Sequence, residues 1–269
     1  MSIEILKNRA VKPGEIRAAI FDFDGTLSTL RCGWEEVMRP MMMEMIGAEK
    51  LPDDRELRRA VNEYIEESAG IQTIYQMRWL ANEVKKRGLN PQAHDGWWYK
   101  EEYNRRLMRQ VSARVANLES GKEKPEQYLI EGTRAFLSAL KNKGVEICVA
   151  SGTDHPDVVR EAEVLGLTGY FSFIKGAPPR KAACSKEAVI RMVMEEKGLP
   201  GARLLMVGDG KVEIALGAEN GALALGVASD EAAGKGVSPV KRRRLIQAGA
   251  HAIVGDFSAT AELMDYLKI

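Results

Sequence analysis

The sequence predicts an α/β fold: a doubly wound, Rossmann-like parallel sheet into which an all-helical cap is inserted. Three observations predict it. Short apolar runs of strand length recur along the chain, helix-like segments alternate with most of them, and one interval of 95 residues, 31–125, holds no such run. Strands alternating with helices cover both faces of a parallel sheet. An interval of that length lies far outside the usual range of loops, so it is read as a second, helical domain.

The first core strand is placed in residues 17–23 (RAAIFDF), an apolar run that ends in Asp22, Asp24 and Gly25. The next interval is punctuated by Gly47, Pro52, Gly70, Gly88 and Pro91, which divide it into helices over 34–46, 53–68, 71–87 and 92–118. Its methionines, Met38, Met41, Met42, Met43 and Met45, are read as helix packing, with a pliable lid over a ligand as the alternative. The core then resumes with a helix over 126–143 and a strand over 145–150 (VEICVA). A helix over 156–165, a strand over 170–174, a helix over 186–197 and a strand over 203–207 (RLLMV) follow. The last elements are a helix over 213–220, a strand over 222–227, a helix over 240–248 and a weaker strand over 252–254. Residues 1–30 and 126–269 thus form the predicted core domain and 31–125 the cap, with no internal repeat and no low-complexity segment.

Composition excludes several function classes. With 39 basic and 38 acidic residues among 269, 45% hydrophobic and 29% charged, the chain matches an ordinary globular protein with a real core. A pI near 7.7 gives no global basic field for nucleic acid. No run approaches the roughly 18 apolar residues of a membrane span, and the first residues, with Glu4, Lys7 and Arg9, lack the apolar block of a leader. A cytoplasmic protein is expected, as a monomer or small homo-oligomer. Cys32, Cys148 and Cys184 are odd in number and widely spaced, which supports neither a disulfide framework nor a zinc site. The one dense cationic run, residues 241–244, precedes Leu245 and Ile246 in a helical pattern. A solvated helix face is preferred for it over a localisation or phosphate patch.

Four strand ends carry the chemistry. Asp22-Phe23-Asp24-Gly25-Thr26 sits at the C-terminal end of a strand, where ligands bind in open α/β sheets. Two carboxylates two residues apart on extended chain point the same way and repel; capping the next turn accounts for one of them and poorly for both. Ser151-Gly152-Thr153 follows the 145–150 strand and is expected to start a helix, where backbone N–H groups favour an anion. Ser, Thr and Asp are also ordinary helix caps there. Lys186 opens a helix, where the dipole disfavours a cation, and this points to a fixed anionic partner as against a plain solvated lysine. Finally Gly208-Asp209-Gly210 ends the 203–207 strand, with Glu213 four residues after Asp209, an acid pair suited to a hard cation such as Mg²⁺.

Taken in order, these four stations resemble the motifs of the haloacid dehalogenase superfamily over residues 17–30 and 126–257, and the inserted helices match by position its subgroup with a helical cap. Glu213 stands where many relatives carry Asp, Lys211 lies between the two acids, and Lys175 and Lys181 compete weakly with Lys186 for the third motif. The resemblance implies Asp22 as the nucleophile that takes a phosphoryl group and Asp24 as the acid that protonates the leaving oxygen and then activates water. It implies Mg²⁺ held by the Asp22 carboxylate, the Asp24 carbonyl and Asp209, with Glu213 assisting. Lys186, Ser151 and the N–H groups of Gly25, Thr26 and Gly152 would hold the phosphate oxygens. Such cations are needed, since a carboxylate about 4 Å from a phosphate dianion is repelled by roughly 8 kcal/mol at an effective dielectric near 20.

The presence of Asp24 favours phosphoryl transfer over dehalogenation, and the lack of membrane spans argues against the family's transporting ATPases. A Mg²⁺-dependent phosphatase acting on a small soluble phosphate ester, such as a sugar or polyol phosphate, is the leading expectation. A phosphomutase of the β-phosphoglucomutase kind and a non-catalytic phospholigand-binding protein are the alternatives. The cap interval holds 17 Lys or Arg and 16 Asp or Glu, so it is no cationic funnel as a whole. Arg31, Trp34 and Arg39 follow the first motif and are the candidates for contacts beyond the phosphate, against an ordinary packing or surface role. Trp97, Trp98 and Tyr99 are more simply core than a stacking surface, and His155, beside Thr153 and Asp154, a loop or cap residue.

Overall fold

The computed structural model describes residues 3–7, 12, 14–178, 180–182, 185–196 and 198–269. Arg9, Cys184 and Lys197 lie outside them; Cys32 is half-buried and Cys148 buried. Seven strands, β1 (Glu4–Ile5), β2 (Ala18–Phe21), β3 (Glu146–Asp154), β4 (Phe173–Ala177), β5 (Leu204–Gly208), β6 (Leu223–Val227) and β7 (Ala252–Val254), form one sheet in the order β1-β7-β6-β5-β2-β3-β4. Every neighbouring pair is parallel except β1 with β7. Ala18 pairs with both Leu204 and Glu146, and Phe21 with both Val207 and Val149, so β2 is central and the ends of β5, β2 and β3 lie side by side.

Alternation along the strands builds two cores. Ala19, Phe21, Val149 and Val207 face a cluster closed by α5 (Thr133–Asn142), α6 (His155–Val164) and α10 (Thr260–Leu267). Ala18, Ile20, Cys148 and Met206 face the opposite way, against α7 (Ser185–Glu196). On that same side α8 (Lys211–Glu219) and α9 (Pro239–Gln247) bring Ile214 and Leu245 against Ala224 and Ile253. Burial on both faces explains why the strands read as continuous apolar runs. Phe21, with its ring centroid 6.0 Å from that of Phe136 and 6.4 Å from that of Phe257, anchors the first core; truncating it to Ala would cost about 3–5 kcal/mol.

Four helices stand between β2 and β3: α1 (Trp34–Ile46), α2 (Arg55–Glu67), α3 (Thr73–Arg87) and α4 (Gly96–Glu119). They bury their own cluster, in which Met38, Met41, Met42, Leu80, Tyr99 and Val111 take part, so the methionines do pack helices. Asp95 accepts from the Trp98 N–H and starts α4 at Gly96, four residues later than the sequence pattern suggests.

Several elements differ from expectation. The 126–143 segment is a 3₁₀ turn, Pro125–Tyr128, followed by α5. Gly132 forces the break: its φ is +79°, and a Cβ there would lie 2.3 Å from the Phe257 carbonyl. The expected 170–174 strand is displaced to β4 because Thr168–Tyr170 forms a 3₁₀ turn whose Tyr170 packs on the first core. β3 runs on to Asp154 with an irregularity after Ala150, so Ser151-Gly152-Thr153 extends a strand rather than starting a helix. β1 and α10 are additions, the first too short and the second too near the chain end to stand out as a pattern. Among the described residues, no helix is long and apolar enough to cross a membrane.

Candidate active site

The ends of β2, β3 and β5 and the start of α7 meet in one cavity of about 110 Å³, which α1, α3, α4 and the α2–α3 turn close from the other side. The closure is tight. A Cβ on Gly70 would lie 3.3 Å from Gly210 Cα and 3.7 Å from Lys186 Nζ, and one on Gly152 would lie 3.2 Å from the Ile71 carbonyl.

Asp22 is buried where β2 ends. Its Oδ1 accepts from the Phe23 N–H at 2.9 Å, and its Oδ2 from Lys186 Nζ at 2.8 Å. Lys186 also donates to Glu213 Oε2 at 2.6 Å, while Glu213 Oε1 accepts from the Gly210 N–H at 2.6 Å. Thus the lysine in the first turn of α7 has two fixed anions, which offset the unfavourable helix dipole. Lys175 and Lys181 are exposed and leave the third station to Lys186.

Asp24 faces the same cavity in a different environment. Its Oδ2 accepts from Thr153 Oγ1 at 2.7 Å, Arg31 Nε is 3.9 Å from Oδ1, and Oδ1 is buried without a hydrogen bond. Arg31 is committed elsewhere, donating to Glu161 at 2.6 Å and Asp157 at 3.3 Å. The Gly25 and Thr26 N–H groups donate within the turn, to the Ser28 and Phe23 carbonyls, and Thr26 Oγ1 donates to Asp209 at 3.4 Å without lining the cavity. Ser151 Oγ accepts from the Thr153 N–H at 3.0 Å and lines the cavity with Gly152 and Trp34.

The 241–244 run is not a solvated face. Lys241 Nζ reaches Asp209 Oδ2 at 2.7 Å and Glu231 Oε1 at 2.6 Å, and Arg244 donates to the Asp209 carbonyl at 2.9 Å. Three residues apart on α9, the two cations share the face turned toward the site. Arg242 pairs with Glu4 on the other side, and Arg243 is exposed. Glu231, Lys241, Arg244 and Glu35 are the charged cavity residues that sequence reasoning missed. Glu231 lies four residues beyond β6, so the strand-end rule that found Asp209 would have found it too.

Other candidates stand away from the cavity. Arg39 donates to Asn62 and Glu36, Tyr99 is core, and Trp98 is exposed. Lys100 lies over Trp97, and Asp154 accepts from Lys100 and Asn104. His155 Nδ1 accepts from the Gly176 N–H, a structural contact. No methionine is among the lining residues.

Burial pushes the Asp22 carboxyl well above the usual range, with Lys186 opposing. Burial likewise raises Asp24, against Arg31 and the Thr153 hydroxyl. At Asp209 burial acts upward too, but Lys241 and Arg244 overcome it and hold the carboxyl below its ordinary value. Lys186 and Lys241 remain cations, because the two acids around each outweigh dehydration. Glu231 is pushed up to about 6 by burial despite Lys241.

Carboxylate oxygens of Asp22, Asp209 and Glu213 lie within 4.8 Å of one another. An all-oxygen set that crowded fits a hard divalent cation such as Mg²⁺, whose charge would relieve the dehydrated Asp22.

A family model described as haloacid dehalogenase-like hydrolase matches residues 16–221. Among curated proteins none matches. A predicted phosphatase from Clostridium acetobutylicum is similar in structure at 19% identity and TM-score 0.59, covering 93% of this chain and 99% of that one. A predicted phosphoglycolate phosphatase from Haemophilus somnus follows at 17% and 0.63, covering 93% and 98%. A β-phosphoglucomutase from Clostridium difficile gives 15% and 0.61, covering 94% and 97%. At these identities the solved structures speak for the fold, and the family model, spanning β2 through α8, speaks for descent. The chain belongs to the haloacid dehalogenase-like hydrolase family.

Proposed function

We propose that this hydrolase is a Mg²⁺-dependent phosphatase that cleaves a small soluble phosphate monoester through an aspartyl-phosphate on Asp22. The observation that carries the reading is the contrast between the two aspartates of one cavity: Asp22 is paired with Lys186 at 2.8 Å, while Asp24 keeps a buried oxygen without a hydrogen bond, 3.9 Å from Arg31. Burial raises both carboxyls; beside Lys186 and a bound cation Asp22 would ionise as the nucleophile, while Asp24 keeps a carboxyl that can hold a proton.

In the first step an Asp22 oxygen bonds to phosphorus, the ester P–O bond breaks, and Asp24 gives its proton to the departing alkoxide. In the second, water attacks phosphorus, Asp24 takes its proton, and the Asp22–phosphorus bond breaks to release phosphate. Thr153 holds Asp24 at 2.7 Å for both transfers. Lys186 stays protonated and offsets charge on Asp22 and on the phosphoryl oxygens, and the Ser151 hydroxyl lines the same wall. Asp22, Asp209 and the Asp24 carbonyl would hold Mg²⁺, with Glu213 positioned behind Lys186. Bound there, the ion supplies Lewis-acid charge that offsets the repulsion between carboxylate and phosphate.

Residues 1–30 and 126–269 are taken as the core domain and 31–125 as a cap. The separate apolar cluster of α1–α4 and the close approach of Gly70 to Gly210 support a cap that opens to admit substrate and closes to exclude water. The test is phosphate release from a panel of monoesters with Mg²⁺, beside Asp22→Asn. Wild type is expected to release phosphate, and Asp22→Asn to lose at least about 10⁴-fold in kcat. Conversion of a phosphosugar to its isomer without free phosphate would overturn hydrolysis in favour of a mutase. Binding of phosphate esters with wild type and variant equally inert would remove catalysis altogether.

A further inference from the structure

The cavity walls differ in charge. None of its cations lies on α1–α4: Lys186 comes from α7, Lys241 and Arg244 from α9, and Arg31, the first residue of the inserted interval, from the turn after β2, where Glu161 and Asp157 hold it. The inserted helices contribute Trp34, Glu35, Thr73, Gln76, Tyr103 and Leu107, and no Lys, Arg or His from α1–α4 is among the described lining residues. Overall the lining carries five carboxylates against four cations.

Glu35 and Tyr103 on the inserted side form no side-chain hydrogen bond to another residue among those described. Gln76 differs, since its amide donates to Ser68 at 3.1 Å and 3.4 Å. Tyr103 is only 3% exposed, yet its hydroxyl makes no hydrogen bond among the described residues and lines the cavity. A hydroxyl left without a partner at a cavity wall is open to a polar ligand. It lies within electrostatic reach of Arg31, Glu35 and Asp24. Glu35 accepts from its own backbone N–H and forms no ion pair among the described residues, while Lys241 and Arg244 act on it from farther off. As an acid in the first turn of α1 it is favoured by the helix dipole, but its place in the cavity wall beside Tyr103 is not required by that.

We infer that Glu35 and Tyr103 select the alcohol portion of the substrate: a neutral or cationic group with hydrogen-bond donors is accepted, and one with a second carboxylate or phosphate is rejected. Glu35 accepts the donors, the Tyr103 hydroxyl completes the pair, and Trp34 and Leu107 supply an apolar flank. A second anion would meet Glu35 and Asp24 with no free cation from the inserted helices to balance it. This rests on the phosphatase reading and adds the chemistry of the leaving group. It also disfavours bisphosphates.

The experiment compares kcat/KM of the Mg²⁺-loaded protein for sorbitol 6-phosphate, phosphoethanolamine, phenyl phosphate, 2-phosphoglycolate and fructose 1,6-bisphosphate. Wild type is expected to favour the polyol or amino ester at least about tenfold over the two anion-bearing esters. In Glu35→Gln and Tyr103→Phe the preference for that donor ester over phenyl phosphate should fall at least about fivefold, through KM rather than kcat. Glu35→Lys should raise kcat/KM for 2-phosphoglycolate, a gain that misfolding cannot produce. Preference of wild type for the anion-bearing esters, or unchanged ratios in the variants, overturns the inference while phosphatase activity stands. Failure of wild type to hydrolyse any ester overturns the phosphatase reading and the inference together.

Discussion

Lys241→Met tests the second cationic arm of the site. The ammonium stands 2.7 Å from Asp209 and 2.6 Å from Glu231, and the three side chains are 12%, 13% and 14% exposed. Each contact is worth about 6 kcal/mol of Coulomb attraction at an effective dielectric near 20. Dehydration of the charges consumes most of that, but removing the shared cation leaves two buried carboxylates facing one gap. The net loss expected for stripping one partner from a buried pair is about 3–5 kcal/mol. Urea unfolding in EDTA should therefore show a lower midpoint with unchanged slope, and the melting temperature should fall by about 6–20 °C. Saturating Mg²⁺ should recover part of the loss, because a cation near Asp209 replaces some of the missing charge. Arg243→Met, at an exposed position of the same helix, should stay within about 0.5 kcal/mol of wild type. A Lys241→Met loss as small as that of Arg243→Met would refute the buried-arm reasoning and restore a solvated face.

Three further outcomes follow from the same geometry. Gly25→Ala places a Cβ 2.4 Å from Asp209 Oδ2 at a φ of +70°; about 1–3 kcal/mol of stability and about 10- to 100-fold in Mg²⁺ affinity by calorimetry should be lost. Thr153→Val removes the 2.7 Å hydrogen bond to Asp24, and kcat should fall about 10- to 100-fold with KM little changed, from the roughly 1.5–3 kcal/mol of such a bond. Glu231 is held at about 6 in the folded chain against an ordinary 4.5, so its contribution to stability is complete below pH 4.5 and is lost as pH rises through 6. The unfolding free energy of wild type minus that of Glu231→Gln should drop by about 2 kcal/mol from pH 4.5 to 7, and a rise would contradict the burial of that carboxyl.

What the sequence made legible is what strand ends make local. Asp22 and Asp24, Asp209 and Glu213 each lie within a few residues of an apolar run, and a parallel sheet brings such ends together without further information. Lys186 could be found because a cation in a helix's first turn conflicts with the dipole. Arg31 and Trp34 reach the cavity by adjacency to β2, whereas Arg39, one turn further along α1, rotates away to Asn62. The failures share a cause. Lys241 and Arg244 sit inside a four-residue cationic run, and reading the run as a unit hid that its first and last members share one helix face while Arg242 and Arg243 turn elsewhere. Tyr103 belongs to a long helix whose inward stripe is apolar, so nothing in its spacing separates a residue that packs from one that opens onto the cavity. That distinction depends on where α4 crosses the sheet ends, a tertiary fact.

Near-neutral net charge takes on a specific meaning in this cavity. Lys186 is shared by Asp22 and Glu213, Lys241 by Asp209 and Glu231, and Arg31 by Glu161 and Asp157. Each of these three cations is therefore already engaged by two acids before any phosphate enters, and Arg244, the fourth in the cavity, donates to the Asp209 carbonyl. Such pairing fixes the side chains in place, but it also withholds positive charge from an incoming dianion. On the proposed function, additional charge would arrive with the metal, among the crowded oxygens around Asp22 and Asp209. The acid excess that makes the metal-free cavity hostile to phosphate is thus the same feature that would draw a divalent ion into it. On the proposed function, nucleophile, metal and substrate would be tied together by one electrostatic condition rather than by separate binding sites.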